Sequence, residues 1–183
     1  MYLIVGLGNP TKHYANNRHN VGFLAIDSLL NSKEHIDITK TSFFGQLNKF
    51  NNMLFLKPTT FMNNSGKSLQ AVASFYKIDS QNIFIIYDDL DMKFGALKFR
   101  IGGRDAGHNG LKSINNYIEN NYTKIKVGIG RPEHKGQVNS YVLSDFEDSQ
   151  KEELQNKIFP NIEKAILNID KKSFKDISSL YSL

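Results

Sequence analysis

Apolar residues in the first half of the chain form short continuous runs separated by segments with helical spacing. The run 2–7 ends in Gly8, Asn9 and Pro10, which is typical of a buried strand stopped by turn residues. Within 21–30, apolar side chains recur at i, i+3 and i+7, the spacing of one helix face. Two further runs, 43–50 and 53–56, flank an Asn-Asn pair that suits a tight turn. The pattern predicts a strand, a helix and a hairpin.

The second half of the chain continues the alternation. It predicts a helix over 68–76, strands over 82–87, 95–101 and 124–129, and a helix ending near Tyr117. A glycine-rich loop, 102–110, lies between the last two of those strands. Beyond Asp148 one helical face persists, but Pro160 should divide it into two helical pieces. We therefore predict one α/β domain over residues 1–183, a three-layer α/β/α arrangement with a twisted mixed sheet.

Composition narrows the functional classes. The chain has no cysteine, which excludes disulfides, thiolate metal sites and a cysteine nucleophile. Twenty-three Lys and Arg against eighteen Asp and Glu give a net charge of +5, a moderate preference for polyanions such as nucleic acid. A signal peptide and a membrane-spanning apolar run are both lacking, so we expect a soluble cytoplasmic protein without a membrane partner.

Three familiar motifs fail on spacing. Gly6-Leu7-Gly8 would need a third glycine at Thr11 to be a dinucleotide fingerprint. Gly66-Lys67-Ser68 resembles the end of a P-loop, but Phe61 stands where its first glycine is required. The sequence contains neither a G-x-S-x-G elbow nor an H-E-x-x-H pair. Water is therefore the expected nucleophile of any hydrolysis.

His19 and the acidic segment Tyr87-Asp88-Asp89-Leu90-Asp91 are the candidate chemical groups. His19 alone would more often be structural, but it follows the first strand, and Asp88 follows a later one. Ligands of open α/β sheets collect at the carboxyl ends of strands. A carboxylate bound to one imidazole nitrogen would leave the other nitrogen free to take a proton. A solvated turn and an Mg²⁺ site on Asp88, Asp89 and Asp91 remain alternative interpretations.

Three asparagines stand beside turn glycines or helix starts. Asn9, Asn63 and Asn109 could serve only as caps or turn formers. Alternatively, their amides converge and donate hydrogen bonds to a reacting carbonyl without adding charge. Phe61, near Asn63, could belong to the core or could stack on a base or ribose.

With these residues assembled, the chain resembles the bacterial peptidyl-tRNA hydrolase family over nearly its whole length. That family cleaves the ester between a peptide and the 3′ end of tRNA. Five ordered motifs carry the resemblance: Ile4-Val5-Gly6-Leu7-Gly8-Asn9-Pro10, Arg18-His19-Asn20-Val21-Gly22, Lys57-Pro58-Thr59-Thr60-Phe61-Met62-Asn63, Tyr87-Asp88-Asp89-Leu90-Asp91 and Gly107-His108-Asn109-Gly110-Leu111.

The resemblance implies a role for each matching residue. His19 would be the general base on water, and Asp88 would support its basic form. Asn9 would help to tell a blocked peptidyl amine from a free aminoacyl one. The remaining expectations are these: Asn63 and Asn109 hold the peptide backbone and the ester, Tyr14 and Phe61 line the substrate end, Arg100 and Lys126 grip tRNA phosphates, and His108 lies beside the site in a secondary role. No metal or cofactor is expected, and the enzyme would act as a monomer without an obligate protein partner.

Two rival functions stay open at this point. A Mg²⁺-dependent nuclease built on Asp88, Asp89 and Asp91 would lose activity in chelator and would cut the RNA chain itself. An RNA-binding module on the same fold would bind without turnover. The pairing of His19 with Asp88 argues against the second, because binding alone needs no such pair.

Overall fold

A mixed sheet forms the centre of the computed structural model, which describes residues 1–31 and 33–183. Within those residues the sheet has seven strands, in the order β2-β3-β4-β1-β5-β7-β6. Their bounds are β1 Tyr2–Gly6, β2 Ile36–Asp37, β3 Gly45–Phe50, β4 Met53–Pro58, β5 Ile83–Asp89, β6 Leu97–Ile101 and β7 Thr123–Gly128. The four central strands, β4, β1, β5 and β7, run parallel to one another. At one edge of the sheet β3 pairs antiparallel with β4 and with β2, and at the other edge β6 pairs antiparallel with β7. The predicted mixed α/β sheet is confirmed.

Helices cover both faces of the sheet. They are α1 Val21–Asn31, α2 Ser65–Tyr76, α3 Asn109–Asn115, α4 Val138–Val142, α5 Asp148–Glu153, α6 Phe159–Ile166 and α7 Phe174–Tyr181. One apolar cluster joins α1, α6 and α7 to alternate residues of the central strands, such as Ile4 and Ile86. A second cluster joins α2 and α3 to the other alternate residues, such as Val5 and Ile85. The period-two alternation of strand side chains thus divides the core into two layers.

Some boundaries differ from those predicted. Strand β5 continues through Asp88 and Asp89, because both residues pair with β7 and are buried rather than closing the strand in solvent. The short β2, α4 and α7 were not predicted; β2 and α4 have only two and five residues, too few for a periodic pattern. A π-helical turn, Leu154–Ile158, separates α5 from α6, with Pro160 in the first turn of α6. The structure thus agrees with the prediction of two helical pieces. The π-helical turn before α6 accommodates Pro160, which has no backbone N–H to donate.

The topology brings two strand ends and one helix start together. From β1 the chain passes through α1 to β3 and β4 on one side, whereas β5 lies on the other side of β1. Gly22, in the first turn of α1, packs against these ends so closely that a Cβ would lie 2.3 Å from the Leu7 nitrogen and 2.4 Å from the Ile86 oxygen. The turn before α1 therefore lies directly at the switch point where α/β sheets bind ligands.

No helix among the residues that the structure describes is long and apolar enough to cross a membrane.

Candidate active site

His19 lies in a 3-10 turn, Arg18–Asn20, that leads into α1. Its Nδ1 lies 3.0 Å from Oδ1 and 2.9 Å from Oδ2 of Asp88, near the end of β5. Both residues are buried. A carboxylate that contacts Nδ1 selects the tautomer with its proton on Nδ1, so Nε2 is the free basic nitrogen. The contact expected between the two residues is present, with good hydrogen-bond distances.

Asp88 also accepts a second imidazole. The Nε2 of His108 lies 2.9 Å from Asp88 Oδ1, and the His108 and His19 ring centres are 4.8 Å apart. The His108 Nδ1 accepts from the backbone nitrogens of Gly110, at 3.1 Å, and Leu111, at 3.4 Å, and so caps α3. Both ring nitrogens of His108 are therefore engaged.

The electrostatics favour an ionised Asp88. Burial by itself would raise the pKa of this carboxyl, but its electrostatic interactions and hydrogen bonds with His19 and His108 act against it. The net pKa of Asp88 lies well below its usual range. The carboxylate is thus a fixed negative charge under the two rings.

Asn9, in the segment after β1, is held in place through its side-chain oxygen and its backbone. Its Oδ1 accepts from the Met62 backbone nitrogen at 2.9 Å. Asn20 holds the Asn9 backbone by two reciprocal bonds, each of 2.9 Å. Because the amide oxygen is occupied, Nδ2 is the group that Asn9 has left to donate. Nothing in the sequence indicated this supporting role of Asn20, except that the residue is adjacent to His19.

The structure brings all three predicted asparagines to one cleft. Asn9, Asn63 and Asn109 line a cavity together with His19 and Phe61. Among the described residues, the side chains of Asn63 and Asn109 find no hydrogen-bond partner, and both are exposed. Amides so placed can bind a ligand's carbonyl and N–H groups.

Phe61 and Tyr14 form an aromatic pair by this cleft. Their ring centres are 6.5 Å apart and their planes nearly perpendicular, at 89°. Phe61 is 50% exposed and has φ 59° and ψ 159°, a region almost confined to glycine that costs another residue about 1–3 kcal/mol. An exposed apolar ring held in strained backbone suits a binding surface better than the core alternative left open by the sequence.

The acidic cluster is divided among separate partners. Asp89 contacts Lys126 at 2.9 Å and accepts from the Asp91 backbone nitrogen at 2.8 Å. Asp91 pairs with Arg131. Since Asp88 faces the two histidines, the three carboxylates do not converge on one point. His19, Asp88 and His108 do place ligand-type atoms within 4.8 Å of one another, but each ring in its hydrogen-bonded tautomer turns an N–H toward the carboxylate. This geometry fits proton handling better than metal ligation.

Arg100 and Lys126 border a basic pocket beside the cleft. The pocket also includes Lys124 and Arg104. Lys124 is buried and donates to the Gly103 and Arg104 carbonyls, the latter at 3.1 Å, which anchors the start of the glycine-rich loop. Burial and then the neighbouring Arg100 lower the pKa of Lys124. Arg100 is exposed and Lys126 half-buried, so this surface offers cations to an anion.

Sequence reasoning missed the segment that closes the cleft on its other side. Asn139 on α4 lines both the cavity with the three asparagines and the adjoining one around Asp88. Arg18 ties the histidine turn to α4 and the residues just after it. It donates to Ser144 Oγ at 2.8 Å, and its guanidinium stacks on Tyr141 of α4, 4.6 Å from the ring centre. The only signal in the sequence was the arginine next to His19.

Comparison with known proteins agrees with this geometry. The family model described as peptidyl-tRNA hydrolase matches residues 3–182. The chain belongs to the peptidyl-tRNA hydrolase family. A peptidyl-tRNA hydrolase of Sulfurovum sp. is 45% identical, with 100% of this chain and 98% of that protein aligned. One from Aliarcobacter butzleri is 46% identical over 100% of this chain and 97% of its own length.

Solved structures of peptidyl-tRNA hydrolases share the fold. The crystal structure of the enzyme from Acinetobacter baumannii superposes with a TM-score of 0.91 at 30% identity, covering 100% of this chain and 96% of that one. The resemblance inferred from the five motifs and the α/β fold class are both confirmed. Membership of the peptidyl-tRNA hydrolase family also makes the protein a hydrolase by class.

Proposed function

We propose that this protein hydrolyses peptidyl-tRNA, cleaving the ester between the peptide and the 3′ end of tRNA with water activated by His19. The observation that carries the proposal is the buried pair of His19 Nδ1 and Asp88, 2.9 Å apart, at the edge of an asparagine-lined cleft. The full-length relatives named peptidyl-tRNA hydrolase support the choice of substrate.

The proposed reaction starts with neutral His19. Its Nε2 takes a proton from a water molecule as the water oxygen attacks the ester carbonyl, which gives a tetrahedral oxyanion and an imidazolium. The imidazolium then returns the proton to the departing 3′ oxygen of the terminal ribose as the ester bond breaks. The products are an intact tRNA and a peptide carboxylic acid, which ionises by releasing its remaining proton to solvent. Asp88 stabilises the imidazolium through Nδ1–H, and base catalysis of this kind supplies roughly 10² to 10⁴ in rate.

The asparagines would orient the substrate. Asn9 would donate its Nδ2 to a peptide carbonyl, since its oxygen already accepts from Met62. Such a donor favours an N-blocked chain over a charged free amine. Asn63 and Asn109 would bind the peptide backbone and the ester, which tolerates any side-chain sequence. Phe61 and Tyr14 would pack against the substrate end of the cleft.

The basic pocket would hold the tRNA. Arg100 and Lys126 would contact phosphates near the acceptor end, so tRNA binding should weaken as salt rises. Contacts of this kind position the nucleic acid without reading its bases. We further propose that the protein acts in the cytoplasm as a monomer, within a single domain, and needs no metal.

The test is release of N-acetyl-aminoacyl groups from tRNA in EDTA. Wild type, His19→Ala and His35→Ala are compared, and an unblocked aminoacyl-tRNA serves as the substrate control. His35 is an exposed histidine, so its loss should leave turnover unchanged. We expect chelator-resistant release by wild type and His35→Ala on the blocked substrate, and a loss of about 10² or more in His19→Ala.

Other outcomes would support the rivals. Cleavage within the RNA chain that stops in EDTA would support the nuclease. Tight tRNA binding without release by wild type would support the RNA-binding module. Equal turnover by wild type and His19→Ala would remove His19 from the role of base.

A further inference from the structure

His108 has an arrangement that fixes its protonation state. Its Nδ1 accepts two backbone N–H groups of α3, from Gly110 at 3.1 Å and from Leu111 at 3.4 Å. A ring nitrogen that accepts hydrogen bonds carries no proton, so the single proton of the neutral ring must be on Nε2. That nitrogen lies 2.9 Å from Asp88 Oδ1 and donates to it.

We propose that His108 is a positioning residue: the α3 cap locks it as a neutral imidazole whose Nε2–H fixes the orientation of Asp88 and moderates the pull of Asp88 on His19. This rests on the proposed role of His19 as base. It differs from a substrate-contacting role, because both ring nitrogens are occupied and the side chain is only 8% exposed.

The neutral state of His108 follows from the groups that surround its ring. Protonating Nδ1 would turn a new N–H toward the two N–H groups that it now accepts, and α3 would lose its cap. The ionisable groups in contact with the ring include Asp88, His19 and Tyr87, and the Tyr87 ring centre is 5.1 Å away. The carboxylate of Asp105, on the loop before His108, is already bound to the Gly107 nitrogen. When His19 becomes an imidazolium, a second cation 4.8 Å away is further disfavoured.

The shared carboxylate links this lock to the chemistry. Asp88 Oδ1 lies within reach of both rings, at 2.9 Å from His108 and 3.0 Å from His19, while Oδ2 contacts His19 alone. Donation from His108 holds the carboxylate plane and withdraws part of its negative charge. The carboxylate is therefore a weaker acceptor for His19 than an otherwise unbound one would be, and it holds the imidazolium less strongly.

The test separates the two nitrogens of His108. His108→Asn keeps a good N-cap for α3 but is too short to replace Nε2–H at Asp88, whereas His108→Ala loses both contacts. We expect His108→Asn to keep the wild-type KM and to melt at a higher temperature than His108→Ala, which also loses the cap of α3. Its acid limb of kcat/KM should move to higher pH by up to about one unit, which at a pH on that limb is up to about tenfold in rate. In wild type that limb should have a slope of one, because only His19 takes up a proton.

Two further measurements check that His108 acts through Asp88. In an Asp88→Asn background, adding His108→Asn should not lower the rate as it does in wild type and should raise kcat, because the new amide is then free to turn its oxygen toward His19. In ¹⁵N NMR spectra of the substrate-free protein, His108 should remain the neutral Nε2–H tautomer from pH 5 to 8. The spectra need no turnover, so they test the lock even if the proposed reaction fails.

Several results would contradict the positioning role of His108. An acid limb of slope two, or titration of His108 between pH 5 and 8, would overturn the lock. A raised KM with an unmoved acid limb in His108→Asn would make His108 a substrate contact instead. Full additivity with Asp88→Asn would show that His108 does not act through Asp88.

Discussion

Replacing Asp88 by Asn keeps the size of a buried side chain but changes one acceptor into a donor. The His108 ring donates from Nε2, so it requires the amide oxygen at the present Oδ1 position. The amide nitrogen then occupies the Oδ2 position, 2.9 Å from His19 Nδ1. His19 can bind that donor only by accepting at Nδ1, which moves its own proton to Nε2, the nitrogen proposed as the base.

The magnitude follows from two losses. Returning His19 to the active tautomer sets an N–H against an N–H in a buried site, which costs about 1–3 kcal/mol. The imidazolium formed during reaction also loses a charge-assisted hydrogen bond worth about 1.5–3 kcal/mol. Since 1.36 kcal/mol is a factor of ten, the two losses predict a fall in kcat of roughly 10² to 10⁴. KM should change little, because Asp88 is buried behind the rings.

The assay is steady-state release of N-acetyl-aminoacyl groups from tRNA, with filter binding of tRNA measured in parallel. Asp148→Asn is the charge-matched control, because the Asp148 side chain is fully exposed on α5, and it should behave as wild type. If Asp88→Asn retained kcat within about threefold of wild type while remaining folded, the tautomer argument would be refuted.

Three other predictions follow from the contacts. Gly22→Ala should lower the free energy of unfolding by about 1–3 kcal/mol in urea titrations and reduce turnover, because its Cβ would meet the backbone of Leu7 and of Ile86 in β5. Gly136→Ala, with open space around it, should change neither. Lys126→Met should weaken tRNA binding and make the slope of log affinity against log salt shallower by about one; an unchanged slope would remove Lys126 from the phosphate contacts. The lowered pKa of Asp88 means that its ionised form stabilises the fold above the unfolded pKa near 4 and that this contribution is lost as pH falls toward the folded pKa. The advantage in unfolding free energy of wild type over Asp88→Asn, measured in urea, should therefore shrink below about pH 4.

The parts of the fold that sequence could predict are those with strong local patterns. Continuous apolar runs predicted β1 and β5, and the Asn51-Asn52 pair predicted the β3–β4 hairpin, in which Asn51 adopts a positive φ of 52°. The helix α4 escaped prediction because five residues are too few to establish a period, and its position depends on contacts from Arg18 far earlier in the chain.

The candidate site was predictable in its members but not in its connections. His19 and Asp88 could be paired from strand-end reasoning, and their contact is present at 2.9 Å. The double use of Asp88 was not predictable, because it depends on how α3 begins: the cap sets which nitrogen of His108 faces the carboxylate. Likewise, nothing in the sequence indicates that the side-chain oxygen of Asn9 accepts a hydrogen bond from the Met62 backbone nitrogen. Local patterns identify residues, whereas hydrogen-bond direction depends on packing between distant segments.

The position of β1 at the centre of the sheet has a consequence for biosynthesis. β1 is the first strand to be made, yet its partners come much later: Leu3 pairs with Leu54 of β4 and with Ile83 of β5. A growing chain must therefore carry an unpaired apolar strand until β4, and then β5, has been translated. His19 likewise waits for Asp88, so under the proposed mechanism catalytic competence arrives late in synthesis. An incomplete chain of this hydrolase should be both prone to aggregation and inert toward the peptidyl-tRNA that is still building it.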